Sequence, residues 1–144
     1  MRGARVVAVV TALAVSAGGA GPALGQSSPK QGTRTAAEAI SDLFVLVSVA
    51  NFIVQNCESQ GIRANYSSIE KAIDAGVRSL RASGFDAGQL AVARKAELKR
   101  SHYVRADRAL DYLYQRGARR QSIPSLCRVG SSEMEQGTFV GQLL

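Results

Sequence analysis

Thr35–Glu58 is the most apolar stretch of the chain after its first 25 residues, and it limits what the other segments can build around it. Its centre, Leu43–Val54, is rich in valine, so a strand is conceivable on propensity alone. Helical projection decides otherwise. Ser41, Ser48, Asn51, Gln55 and Glu58 fall within about 100° of arc, and the rest of the circumference is mainly apolar. A helix with one narrow polar stripe is a central helix, sheathed by others. Alanines at 36, 37, 39 and 50 favour the same reading. The apolar centre is shorter than the roughly 20 residues that cross a bilayer.

Three further helices suit that sheath. Ser67-Ser68-Ile69-Glu70 reads as a capping box, after which Ile69, Ala72, Ile73, Gly76, Val77 and Leu80 recur on one face. Gly84 supplies the stop, and Gly76 permits close helix approach. Asp86 then caps a helix that can run to Arg116, with Phe85 and Leu90 placed as a hydrophobic staple and Gly117 past its end. Its best apolar stripe is Tyr103, Ala106, Leu110 and Leu113. The stretch before it is irregular, so a break near Ser101 is expected. Pro124 opens a last short helix and Gly137 closes it, with Leu126, Cys127, Gly130 and Met134 on one face. Thr138–Leu144 is too short and glycine-broken for another helix. Its Phe139, Val140, Leu143 and Leu144 should dock on the core. The expected fold is all-α: a single domain over 35–144, a compact bundle of about four helices with a docked C-terminal tail.

The N-terminus reads as an export signal. Arg2 and Arg5 precede the apolar stretch Val6–Ala17, and Gly18–Gly25 is rich in small residues. Cleavage is expected after Ala23-Leu24-Gly25, so residues 1–25 are removed and Gln26 begins the mature chain. Residues 26–34 read as a flexible terminus. The expected location is therefore periplasmic or extracellular, and the protein is not expected to be integral to a membrane.

Export bears on Cys57 and Cys127, the only two cysteines. An even count in an oxidising compartment points to a disulfide, and only one pairing exists. Closing a loop of about 70 residues stabilises a fold by about 4 kcal/mol on the chain-entropy model. The alternative is a redox or metal-binding pair. It lacks a C-x-x-C spacing and a histidine nearby.

Two stretches carry a resemblance. One runs from Leu43-Phe44 through Val47, Ala50 and Ile53 to Cys57. The other is Leu126-Cys127-x-Val129-Gly130-x-x-Glu133-Met134-x-x-Gly137-Thr138-x-Val140-Gly141-x-Leu143-Leu144. Together they resemble an uncharacterised domain-of-unknown-function family of small exported helical proteins from alphaproteobacteria. The resemblance implies export, helices and recurrence of both cysteines. It implies no activity, cofactor or ligand.

Side-chain chemistry narrows little further. His102 is the sole histidine and has no partner placed by spacing, so it reads as a helix surface residue. Asp107 and Asp111 share a helix face, where Arg105 and Arg108 offer surface ion pairs. Glu133 and Glu135 are two apart and cannot face each other on a helix. There is no G-x-S-x-G elbow, no phosphate loop and no metal-ligand spacing, so no catalytic, cofactor or metal residue is assigned.

Charge offers one sharper feature. The formal charge of +7 becomes +5 once Arg2 and Arg5 are cleaved away. Arg94–Arg120 holds nine basic residues against Glu97, Asp107 and Asp111. Within it Arg105, Arg108 and Arg116 are the candidate contacts for an anionic polymer, with nucleic acid less favoured. Their joint replacement by Ala should weaken such binding and spare stability. Tyr103 and Tyr114 should complete the apolar stripe, leaving Tyr112 outward. The leading functional reading is a non-enzymatic interaction or structural protein with a protein partner. The alternative is an anion-binding module built on the basic helix.

Overall fold

The computed structural model describes residues 34–144, so the expected signal, its cleavage site and most of the flexible terminus lie outside the described residues. Six α-helices and one 3-10 turn account for the regular structure, and no strand occurs among the described residues. In chain order they are α1 (Ala36–Cys57), the 3-10 turn Glu58–Gln60, α2 (Ile69–Ala82), α3 (Ala87–Leu98), α4 (His102–Gln115), α5 (Ile123–Glu135) and α6 (Phe139–Gln142).

The first helix is central, as its narrow polar stripe predicts. It packs against α2, α3, α4, α5 and α6. Ile40, Val47, Val49, Ala50, Ile53 and Cys57 are buried on it. By length and composition α1 and the turn after it would suffice to cross a membrane. More than half of its most apolar part is instead buried against the protein's own helices. The start of α1 holds a capping box that the sequence reading overlooked. Thr35 Oγ1 accepts from the Glu38 amide, and the Glu38 carboxylate accepts from the Thr35 amide at 2.8 Å. Hydrogen bonds from the Thr35 amide and then the Thr35 hydroxyl hold the Glu38 carboxyl below its usual range.

In α2 the expected box shifts by one residue. Ser68, not Ser67, is the N-cap and accepts from the Lys71 amide at 3.2 Å. Glu70 therefore sits one position too early to close the box. Ala72, Ile73 and Gly76 face the core as expected. A Cβ on Gly76 would lie 2.1 Å from Leu43 Cδ1, so glycine is what lets α2 approach α1.

The region from Asp86 to Arg116 is two helices. Asp86 caps α3, as expected, by accepting from the Gln89 amide at 2.8 Å. The break falls at Lys99–Ser101, and Ser101 caps α4 through the Tyr103 amide. Gly117 ends α4 with φ +97°, a left-handed value that costs glycine little.

The last helices close the bundle. Ser122 caps α5, Pro124 sits in its first turn, and Cys127 lies buried on its inner face. Cys57 and Cys127 form a disulfide with Cα atoms 5.5 Å apart, joining the end of α1 to α5 across 70 residues. The terminal segment docks as expected, with Val140 and Leu143 buried. It also completes one helical turn, α6, because Thr138 accepts from the Gly141 amide at 3.1 Å. The backbone of Asn65 donates to the Leu143 carbonyl at 2.8 Å, tying the tail to the loop between α1 and α2.

Candidate binding groove

The polar stripe of α1 does not look out onto an open face. Ser48, Asn51 and Gln55 form one wall of a groove bounded mainly by α1, α2 and α4, with the end of α3 at Leu98. Its volume is about 610 Å³. Phe44, Val47, Ile73, Ala109 and Leu113 line its depth, all of them buried core residues. Phe52, Ile69 and Leu98 line it too, yet remain 38%, 46% and 61% exposed. Large apolar side chains gathered around an opening are what a binding surface requires and a solvated face avoids.

The stripe expected of α4 is only partly right, and the groove explains why. Leu113 and Ala109 are buried, while Ala106 and Leu110 look into the groove. Tyr103 leaves the stripe altogether. It is 70% exposed and its ring lies 4.0 Å, centroid to centroid, from His102. His102 is exposed, as expected, but it stands at the groove rim.

The three candidate arginines go to three different partners. Arg105 donates through Nη1 to the Glu97 carbonyl at 3.0 Å, and its guanidinium carbon lies 5.5 Å from the centre of the Phe44 ring. The buried Glu97 carboxylate is 4.0 Å from the same nitrogen and 3.4 Å from Arg100 Nε. Arg108 donates to Ser41 Oγ at 2.8 Å and to Asp42. That accounts for the buried Ser41, the one residue of the polar stripe turned into the fold. Arg116 donates to Glu133 Oε1 at 2.6 Å. The ion pairs expected within α4, to Asp107 and Asp111, are replaced by pairs that cross between helices. Of the three arginines only Arg105 lines the groove.

Glu133 is the residue the sequence reading missed most clearly. It is nearly fully buried on α5, where Met134 was expected to face inward and is instead 44% exposed. Its carboxylate accepts from Tyr112 Oη at 3.1 Å, from Arg116, and from the Thr138 hydroxyl. Tyr112 is thus half-buried rather than outward, and Tyr114 is the more exposed of the two. Burial first, and then the charge of Glu133, push the Tyr112 phenol up to about 12. The cluster ties α4, α5 and α6 together. A small cavity of about 270 Å³ lies beside Arg116 and Glu133, and the three donors satisfy the carboxylate as a structural group.

The expected family is met. A family model matches residues 34–144, nearly all of the chain after the expected export signal. The chain belongs to a family of unknown function, DUF5333. No curated protein and no solved structure matches it. The matched segment begins just before the Thr35 cap and contains both cysteines, the groove and the Glu133 cluster.

Proposed function

We propose that this protein is a non-enzymatic interaction protein of the exported compartment, and that the groove between α1, α2 and α4 is its binding surface. The observation that carries the reading is the gathering of exposed Phe52, Ile69 and Leu98 around one opening. Scattered apolar residues need no explanation, but a set sharing one concave surface does. The disulfide supports an oxidising location, because such bonds persist there. The arginine-rich helix supports the anion-binding alternative less well, since Arg108 and Arg116 are already engaged with Asp42 and Glu133.

A photo-crosslinking residue tests the proposal. Placed at Phe52 it keeps an aromatic ring in the groove, and placed at the exposed Arg128 of α5 it reports on a surface outside the groove. Expressed in its native envelope, the protein should give a discrete adduct from position 52 and none from position 128. Equal labelling from both, or none from position 52, would sink the idea.

A further inference from the structure

The groove combines an apolar lining, the uncharged Ser48, Asn51 and Gln55 on its α1 wall, and basic side chains from the start of α4. Most of its lining is apolar, contributed by Phe52, Ile69, Ile73, Leu98, Leu110 and Leu113. From the start of α4, Arg105 and His102 supply nitrogen donors. Among the described residues no aspartate or glutamate lines the groove. A volume of about 610 Å³ falls in the range of small-molecule sites, roughly 300–1,000 Å³.

Arg105 is held in a way that suits a receptor for an acidic group. Its side chain is only 19% exposed, and its stacking beside Phe44 fixes the guanidinium against the groove wall. Nη1 is its one nitrogen with a hydrogen-bond partner among the described residues, so its other N–H groups remain to meet a ligand. The Glu97 carboxylate, at 4.0 Å, offsets part of the charge but lies outside the groove lining. A charge-assisted hydrogen bond in such a partly desolvated position is stronger than one at the open surface.

We infer that the groove binds a single-chain anionic amphiphile, with its acidic head at Arg105 and His102 and its apolar tail along Phe52, Ile69 and Leu110. The inference rests on the groove being the protein's binding surface. It accounts for two facts together: exposed apolar side chains around the opening, and a cation from the start of α4 with no opposing acid in the lining. The head is a carboxylate, as in a free fatty acid, or a phosphate, as in a lipid fragment. Both offer oxygens that accept from a guanidinium.

Titration calorimetry and amide chemical-shift mapping of the oxidised protein decide it, using probes below their micelle concentrations. The probes are dodecanoate, dodecyl phosphate and dodecyltrimethylammonium, which share a chain and differ in head. At least one anionic probe should bind one-to-one, at least tenfold tighter than the cationic probe, and shift amides of α1, α2 and α4. The tighter anionic arm identifies the head group. Arg105→Gln should weaken the anionic probe at least fivefold and leave the cationic one unchanged. Arg105→Lys, which keeps the charge, should recover part of the loss, and the unchanged binding of the cationic probe shows that the Gln variant did not simply unfold. Phe52→Asp, at an exposed position, should abolish binding of the anionic probe. Equal affinity for both head charges, or indifference to Arg105→Gln, overturns the ligand class while leaving a binding groove in place. No binding by any probe, or shifts confined to other faces, overturns the inference and removes support from the groove itself.

Discussion

Tyr112 on α4 donates a 3.1 Å hydrogen bond to Glu133 on α5, and Arg116 one turn further along α4 donates to the same carboxylate oxygen at 2.6 Å. The same Glu133 accepts from Thr138, the cap of α6. Three helices therefore share one buried anion. Removing it leaves a guanidinium and two hydroxyls facing a void. Glu133→Ala should destabilise the fold by about 3 kcal/mol, the scale of breaking a buried pair from one side. Urea unfolding of the two proteins measures it, and a loss below about 1 kcal/mol would show that the cluster contributes little.

The same contact predicts behaviour at alkaline pH. Desolvation, and then the Glu133 charge, raise the Tyr112 phenol from 10.0 to about 12. The folded state keeps this proton longer than the unfolded state does. The stability Tyr112 provides is therefore complete below about pH 10 and lost as pH rises towards 12. Tyr66, also raised by burial, adds its own loss and is present in both proteins compared. Between pH 9 and 12, Tyr112→Phe should lose stability less steeply than the native chain. Parallel slopes would count against the assignment.

The disulfide prediction follows from its span. Cys57 and Cys127 are both buried and 70 residues apart. Cys127→Ser should cost about 4 kcal/mol while leaving helix content near native, because each helix has its own cap. Thermal unfolding with and without reductant, followed by circular dichroism, provides the check. An unchanged transition in the variant would contradict it.

Gly141 shows a different constraint. A Cβ there would stand 2.0 Å from the Glu133 carbonyl oxygen and 2.4 Å from its carbon. Backbone cannot yield as the end of a side chain can. Gly141→Ala should therefore lift α6 from α5, expose Val140 and Leu143, and cost at least about 2 kcal/mol. Hydrogen exchange should show the loss first at the Asn65 amide, which donates to the Leu143 carbonyl.

These sites differ in how far sequence reveals them. Helix positions were legible because caps and glycines act locally: Asp86, Gly117 and Pro124 stand where their chemistry places them. The disulfide was legible because two cysteines allow one pairing. Glu133 was not, since hydropathy pattern places Met134 inward, and only Tyr112, Arg116 and Thr138 converging in space make a buried carboxylate tolerable. The groove was hidden for a related reason. The stripe of Ala106, Leu110 and Leu113 reads identically whether it meets a packed helix or an unfilled cleft. Periodicity reports which face is apolar and does not report what covers it.

The arginines of α4 give the last prediction, and it revises the expectation from sequence that their removal would spare stability. Arg108 pairs with Asp42 where both side chains are more than 40% exposed, so that pair contributes at most about 1 kcal/mol. Arg116 is different, because its partner Glu133 has a side chain only 2% exposed. Without the guanidinium, that carboxylate stays buried with two hydroxyl donors. Arg105 also donates to the carbonyl of Glu97, near the end of α3, so its loss loosens the turn between α3 and α4. The triple change of Arg105, Arg108 and Arg116 to Ala should thus destabilise by about 3 kcal/mol or more, with Arg116→Ala alone giving most of it. Urea unfolding of the single and triple variants separates the contributions. A triple variant as stable as the native chain would mean that these arginines are surface charges, and would return Arg94–Arg120 to the reading of a free cationic face. In that case polyanion affinity should fall steeply with salt and fall again in the variant.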